Sequence, residues 1–159
     1  MLLLNFSCKA EDVRTFADLA RLKRREAGLV VAPHPFFPSR MSLMGRLNRH
    51  PDLFDAVEYN AMHTASLNFN APAERWARAH GKPMVGNGDV HRLAQLGTTY
   101  SLVDAERDPS AICQAITAGR VRVVHQPLRW ATAIRIIASI VTPSFGRIAG
   151  RQEPARAAV

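Results

Sequence analysis

An α/β fold with parallel strand pairing is the architecture this sequence predicts, on three observations. Short apolar runs such as Leu29-Val30-Val31-Ala32 alternate with stretches of helical periodicity. The connections are short, and a helix is the crossover that parallel strands need. The apolar runs are continuous, as in strands covered on both faces. Roughly five or six strands are too few to close an eight-stranded barrel, and enough for an open sheet or a partial barrel.

Met1 to Asn5 reads as the first strand. Val13, Phe16, Ala17 and Ala20 recur at helical spacing and predict a helix over 12–27. Leu29 to Ala32 is the next strand, and Pro33, Pro35 and Pro38 forbid a helix directly after it. Met41, Leu43, Met44 and Leu47 predict a helix over 39–49, followed by a strand over 55–60. A helix over 72–80 carries Pro72 in its first turn and Gly81 after its end. Strands follow at 83–86 and 98–103. Asp108-Pro109-Ser110 opens a helix through Ala118 that Gly119 stops, and Val121 to Val124 is a strand. A last helix runs from Leu128 to Ile140, and Thr142 to Val159 is a frayed tail rich in Gly, Pro, Ala and Arg.

The 159 residues suffice for one domain, and 47% hydrophobic with 21% charged content is ordinary for a soluble globular chain. A net charge of +8 favours anionic partners: phosphate-bearing substrates, nucleic acid or an anionic surface. Much of the excess lies in Arg21, Lys23, Arg24 and Arg25 and after Arg120, where a solvated basic surface accounts for it equally well. Cys8 and Cys113 are far apart and predict free thiols in a reducing compartment. Met1-Leu2-Leu3-Leu4 is too short for a signal peptide and no run is long enough to span a membrane, so a cytoplasmic protein with no membrane partner is expected.

Reactive side chains in parallel α/β folds collect at the carboxyl ends of strands. His34 follows the second strand, Glu58 and Asn60 close the third, and Asp89 and His91 follow the fourth. In extended backbone Asp89 and His91, two apart, point to one side and can converge on a cation, with zinc, manganese or iron as suitable ions. His34 is either a ligand or a turn histidine fixed by its flanking prolines. Glu58 on an apolar strand either meets a metal, an Arg or several backbone donors, or faces solvent on an edge. His63, in the loop after Glu58, is placed to line the same pocket. His50 and His80 lie at helix ends, where a cation suits the dipole. There is no defensible nucleophile arrangement and no phosphate-cradling glycine loop.

Val30-Val31-Ala32-Pro33-His34-Pro35 resembles the His-Pro motif of PHP (polymerase and histidinol phosphatase) domains. Ala56 to Asn60 is similar to the strand that follows it there, and Gly81 to His91 to the family's late Gly-Ser-Asp-Ala-His segment, with Gly88 in place of the serine. Leu96 to Ser101 is similar to the usual continuation, so the resemblance spans 2–124. It implies a distorted, TIM-like (β/α)7 barrel, here partial and lacking its N-terminal strands. It also implies a divalent-metal cluster that hydrolyses phosphate esters of small molecules or nucleotides. His34, Asp89 and His91 would be metal ligands, Asp89 and His91 would serve catalysis, and Glu58, Asn60 and His63 would line the pocket. The His-x-His strand with which the family opens is missing. The resemblance therefore implies a truncated domain: residues 1–126 are the C-terminal portion of a PHP-like domain and 127–159 a helix with a basic, flexible tail. Such a chain is either a phosphoesterase completed by a partner chain or self-association, or a non-catalytic remnant that binds anionic polymers through Arg129, Arg135, Arg147 and Arg151.

Overall fold

The computed structural model describes residues 1–40 and 42–141. Strand β1 (Leu2–Leu4) leads through a single 3-10 turn at Ala10–Asp12 into helix α1 (Phe16–Arg25). The helix starts later than its apolar periodicity suggests because Thr15 caps it. The Thr15 hydroxyl accepts from the Asp18 N–H, and Asp18 accepts in return from the Thr15 N–H. This reciprocal pairing satisfies two otherwise orphaned donors. Strand β2 (Leu29–Ala32) is buried along its whole length, as its unbroken apolar character predicts, and strand β3 (Ala56–Asn60) is buried throughout although it carries Glu58 and Asn60.

Between β2 and β3 the sequence predicts a helix over 39–49, but only the five residues of α2 (Gly45–Arg49) are helical. The chain before them is held in turns by main-chain bonds, including Ser39 N–H to the Phe37 carbonyl at 2.7 Å and Met44 N–H to the Pro35 carbonyl at 2.8 Å. Helix α3 (Asn70–Ala79), strand β4 (Met84–Asn87), strand β5 (Thr99–Val103), helix α4 (Pro109–Thr117), strand β6 (Val121–His125) and helix α5 (Trp130–Val141) complete the order. Gly81 and Gly119 follow α3 and α4 with φ of +61° and +77°, as their places after the helices predict.

The sheet order is β1-β2-β3-β4. β2, β3 and β4 pair in parallel, which is the expected relation, but β1 is antiparallel to β2, with Leu3 opposite Val30. β5 and β6 form a separate antiparallel pair in which Thr99 faces His125. The pure parallel expectation therefore holds only for the three central strands. The pair is pinned beside β4 by Ser101, whose hydroxyl accepts from the Gly86 N–H at 2.9 Å and donates to the Gly86 carbonyl at 3.0 Å. Position 86 has to be glycine there, since a β-carbon would stand 2.5 Å from the Tyr100 carbonyl oxygen.

One face of the sheet packs Val30, Ala32 and Val57 against Leu19, Leu47, Ala73, Trp76 and Ala77 from α1, α2 and α3. The other packs Leu29, Val31, Ala56 and Val85 against Cys113 and Ile116 of α4, with Val103 and Val121. Both faces of the central strands are covered, so the sheet is open, and no closed barrel forms among the described residues. Ala133 and Ile136 of α5, with Leu128 just before it, pack onto Met62. Neither Cys8 nor Cys113 is in a disulfide. Among the described residues no helix is long and apolar enough to cross a membrane. The tail at 142–159, and with it Arg147 and Arg151, lies outside the described residues.

Candidate functional site

Parallel pairing of β2, β3 and β4 puts three carboxyl ends side by side; Glu58 and Asn60 close β3, and the loops that leave β2 and β4 carry His34 and Asp89 with His91. Strand alternation sends Glu58 and Asn60 to one side of β3 while Val57 and Tyr59 face the other.

Glu58 is 1% exposed and does not lie on an open edge. Its carboxylate accepts a very short hydrogen bond from the His34 main-chain N–H and a longer one, 3.4 Å, from the Asn60 amide. Of the partners the sequence allows, it therefore meets backbone and amide donors. Burial pushes its pKa up from 4.5 to about 7 despite the His34 hydrogen bond, and the negative charge of Asp89 adds to the rise. Glu58 thus exchanges its proton near neutral pH.

Asn60 joins the two carboxylates. Its Nδ2 donates to Glu58 Oε1 and, at 3.1 Å, to Asp89 Oδ2. Its Oδ1 accepts from the Met62 N–H at 2.7 Å, so the amide nitrogen must face the acids. Asn70 clamps the Asn60 main chain from both sides, accepting from its N–H at 2.8 Å and donating to its carbonyl at 2.9 Å.

Asp89 and His91 lie at the rim, with side chains 36% and 45% exposed. His91 Nδ1 stands 3.9 Å from Asp89 Oδ1 and donates to the Asp89 carbonyl at 2.8 Å. In the neutral ring this leaves Nε2 with the lone pair. Gln95, fully buried, holds that loop. Its Oε1 accepts from the His91 and Arg92 N–H groups at 2.8 and 3.0 Å, and its Nε2 reaches the Asp89 carbonyl at 3.5 Å.

His34 and Asp89 both hold positive φ, +28° and +38°. For residues with a β-carbon this conformation is costly and persists only where the surroundings over-determine it. His34 contributes its N–H to the network, while its Nδ1 sits 3.4 Å from the Ser42 hydroxyl. Among the described residues no three His, Cys, Asp or Glu side chains come together in a group that could hold a metal ion. The structure thus brings Asp89 and His91 together and links His34 to them through Glu58 and Asn60. It does not gather His34, Asp89 and His91 into one three-ligand centre.

His63 lies elsewhere. It is buried in a stack with Tyr59 and His125, on the opposite side of β3 from Glu58, and its Nδ1 donates to the Asn60 carbonyl at 3.3 Å. His50 and His80 follow α2 and α3 as expected, and each stacks on an aromatic ring, Phe16 and Trp76. The functional residues that sequence reasoning missed are Gln95 and Asn70, both amides that support rather than face the site. The only sequence trace of Gln95 is its place three residues after Arg92, the spacing with which a side chain turns back on a main-chain N–H.

Residues 68–121 match a family model described as PHP-associated. The matched stretch contains α3, β4, Asp89, His91, Gln95, β5 and α4, and stops short of His34, Glu58, Asn60 and His63. No curated protein matches the chain.

Proposed function

Since the chain carries a PHP-associated segment over residues 68–121, we propose that the Glu58–Asn60–Asp89–His91 network is part of a metal-dependent phosphoesterase site. The observation that carries this reading is the Asn60 amide bridging a buried carboxylate and a rim carboxylate, with an imidazole 3.9 Å beyond. The arrangement keeps an acidic pair together at the open end of the parallel strands.

The donor set fits a divalent ion such as zinc, manganese or iron. Asp89 offers an accessible carboxylate, and His91 offers Nε2 while its Nδ1 is held by a main-chain carbonyl, the outer partner usual for ligating histidines. A bound ion there supplies Lewis acidity toward phosphoryl oxygens and water. The protein's own residues do the rest. Asn60 and Gln95 fix the donors in direction, and Glu58, with a pKa of about 7, takes up or releases a proton beside them. His34 sets the orientation of Glu58 through its N–H. The substrate class is a phosphorylated small molecule or nucleotide. The finer architecture in this reading is a partial, distorted (β/α)7 barrel of PHP type, whose remaining metal donors come from a completing chain or segment.

Hydrolysis of a generic phosphomonoester in the presence of Mn2+ tests it: activity that falls at least a hundredfold in Asp89→Ala supports the reading, and equal rates for the two proteins refute it. The second reading, a non-catalytic remnant that binds anionic polymers, is favoured by one observation, the lack of a three-donor group among the described residues. It calls for salt-sensitive binding to single-stranded nucleic acid with no turnover.

A further inference from the structure

Two buried polar atoms among the described residues have no hydrogen-bond partner, His63 Nε2 and Thr99 Oγ1. Both flank the same residue. Thr99 is the cross-strand partner of His125, and the His63 ring centre lies 5.2 Å from that of His125. Unpartnered buried polar atoms are rare and call for an explanation, a bound water or ion being one. Here both belong to neighbours of His125.

The tautomer of His63 is set by its surroundings. Nδ1 faces the Asn60 carbonyl and must carry the hydrogen, so Nε2 presents a lone pair. The backbone on both sides is fixed as well, with His63 N–H on the Ala61 carbonyl at 2.9 Å and the Leu128 N–H on the His63 carbonyl at 2.8 Å. Burial first, and the neighbouring His125 second, lower the pKa of His63, so the ring is a free base at neutral pH. Tyr59 stacks on His125 at 4.4 Å and limits how far that ring can swing. His125 is exposed and lines a cleft of about 610 Å³ together with Tyr59, Glu74, Lys82 and Arg122, which gives access from solvent.

The ring centres of His63 and His125 lie 5.2 Å apart with their planes at 68°, close enough for one nitrogen of each ring to reach a shared ion at about 2.0–2.1 Å once the exposed His125 ring turns toward His63.

We propose that His63 Nε2 and His125 form a two-histidine site for a borderline transition-metal ion such as Ni2+ or Zn2+, open to the cleft and separate from the Asp89–His91 donors. Imidazole pairs favour these ions over Mn2+, which prefers carboxylates.

The test is a Ni2+ titration of the full chain by calorimetry, with histidine-ring NMR, in a His91→Ala background that silences the other donor pair. One Ni2+ equivalent should bind, with the His63 ring nitrogen signals shifted, and His125→Gln should weaken binding at least tenfold. His125 is exposed, so its replacement leaves the core intact; His63→Gln, checked for folding by near-ultraviolet circular dichroism, should do the same. Unchanged affinity in His125→Gln, or no saturable binding in the His91→Ala parent, would mean that water alone satisfies His63 and would overturn the proposal. Neither result bears on Asp89.

Discussion

At the scale of single residues, Glu58 has the most to explain, because a carboxylate that is 1% exposed is costly to ionise. Its pKa rises from 4.5 in ordinary surroundings to about 7 in the fold. Between those values the folded state binds a proton that the unfolded chain has lost, so this group's contribution to stability is present below about 4.5 and is lost as pH rises through 7. The loss amounts to roughly 3–3.5 kcal/mol, at 1.36 kcal/mol per pKa unit. Urea unfolding at intervals from pH 4.5 to 8 should therefore show a decline in the wild type that Glu58→Gln lacks; parallel curves would contradict the assignment. Glu58 was legible in the sequence as a residue that needs a partner. Which partner was not, because the His34 N–H comes to it from a loop whose residue 34 holds φ of +28°, and no sequence pattern announces that for histidine.

The elements divide by how local their causes are. β2 was readable because both its faces are apolar and β3 from the Ala56-Val57 run ahead of Glu58; α1 was readable from its apolar spacing, although Thr15 sets its start later, and α4 from the Asp108 cap within the segment itself. The apolar spacing over 39–49 misled for its first half, since bonds such as that from Met44 back to Pro35 hold the chain before Gly45 in turns. The antiparallel sense of β1 and of the β5–β6 pair is a tertiary outcome that periodicity does not encode. Two substitutions test what holds the elements around the site. Gly86→Ala drives a methyl group into the Tyr100 carbonyl and should cost about 1–3 kcal/mol or more, read as a lower denaturation midpoint at constant m-value. Gln95→Ala strips the acceptor from the His91 and Arg92 N–H groups and should cost about 1–3 kcal/mol, with faster amide exchange confined to the loop from Asp89 to Leu96. Exchange that speeds up uniformly across the sheet would mean that Gln95 supports the core and not the loop.

Over the whole molecule, an open sheet covered on both faces carries its polar groups at one end, where β2, β3 and β4 finish together. That convergence was legible from strand order alone, since His34, Glu58, Asn60, Asp89 and His91 each follow or end an apolar run. Their division of labour was not. Asn60 connects the acids, Asp89 and His91 face outward, and His63 belongs to a separate stack with Tyr59 and His125. The central claim is that Asp89 and His91 are metal donors held in place by the Asn60–Glu58 pair. Its most direct test is a Mn2+ titration of the wild type and of Asp89→Asn, which keeps the shape of the side chain and can still accept from Asn60. Saturable binding that weakens at least tenfold in Asp89→Asn is the predicted result, and equal Mn2+ affinity in the two proteins would contradict it.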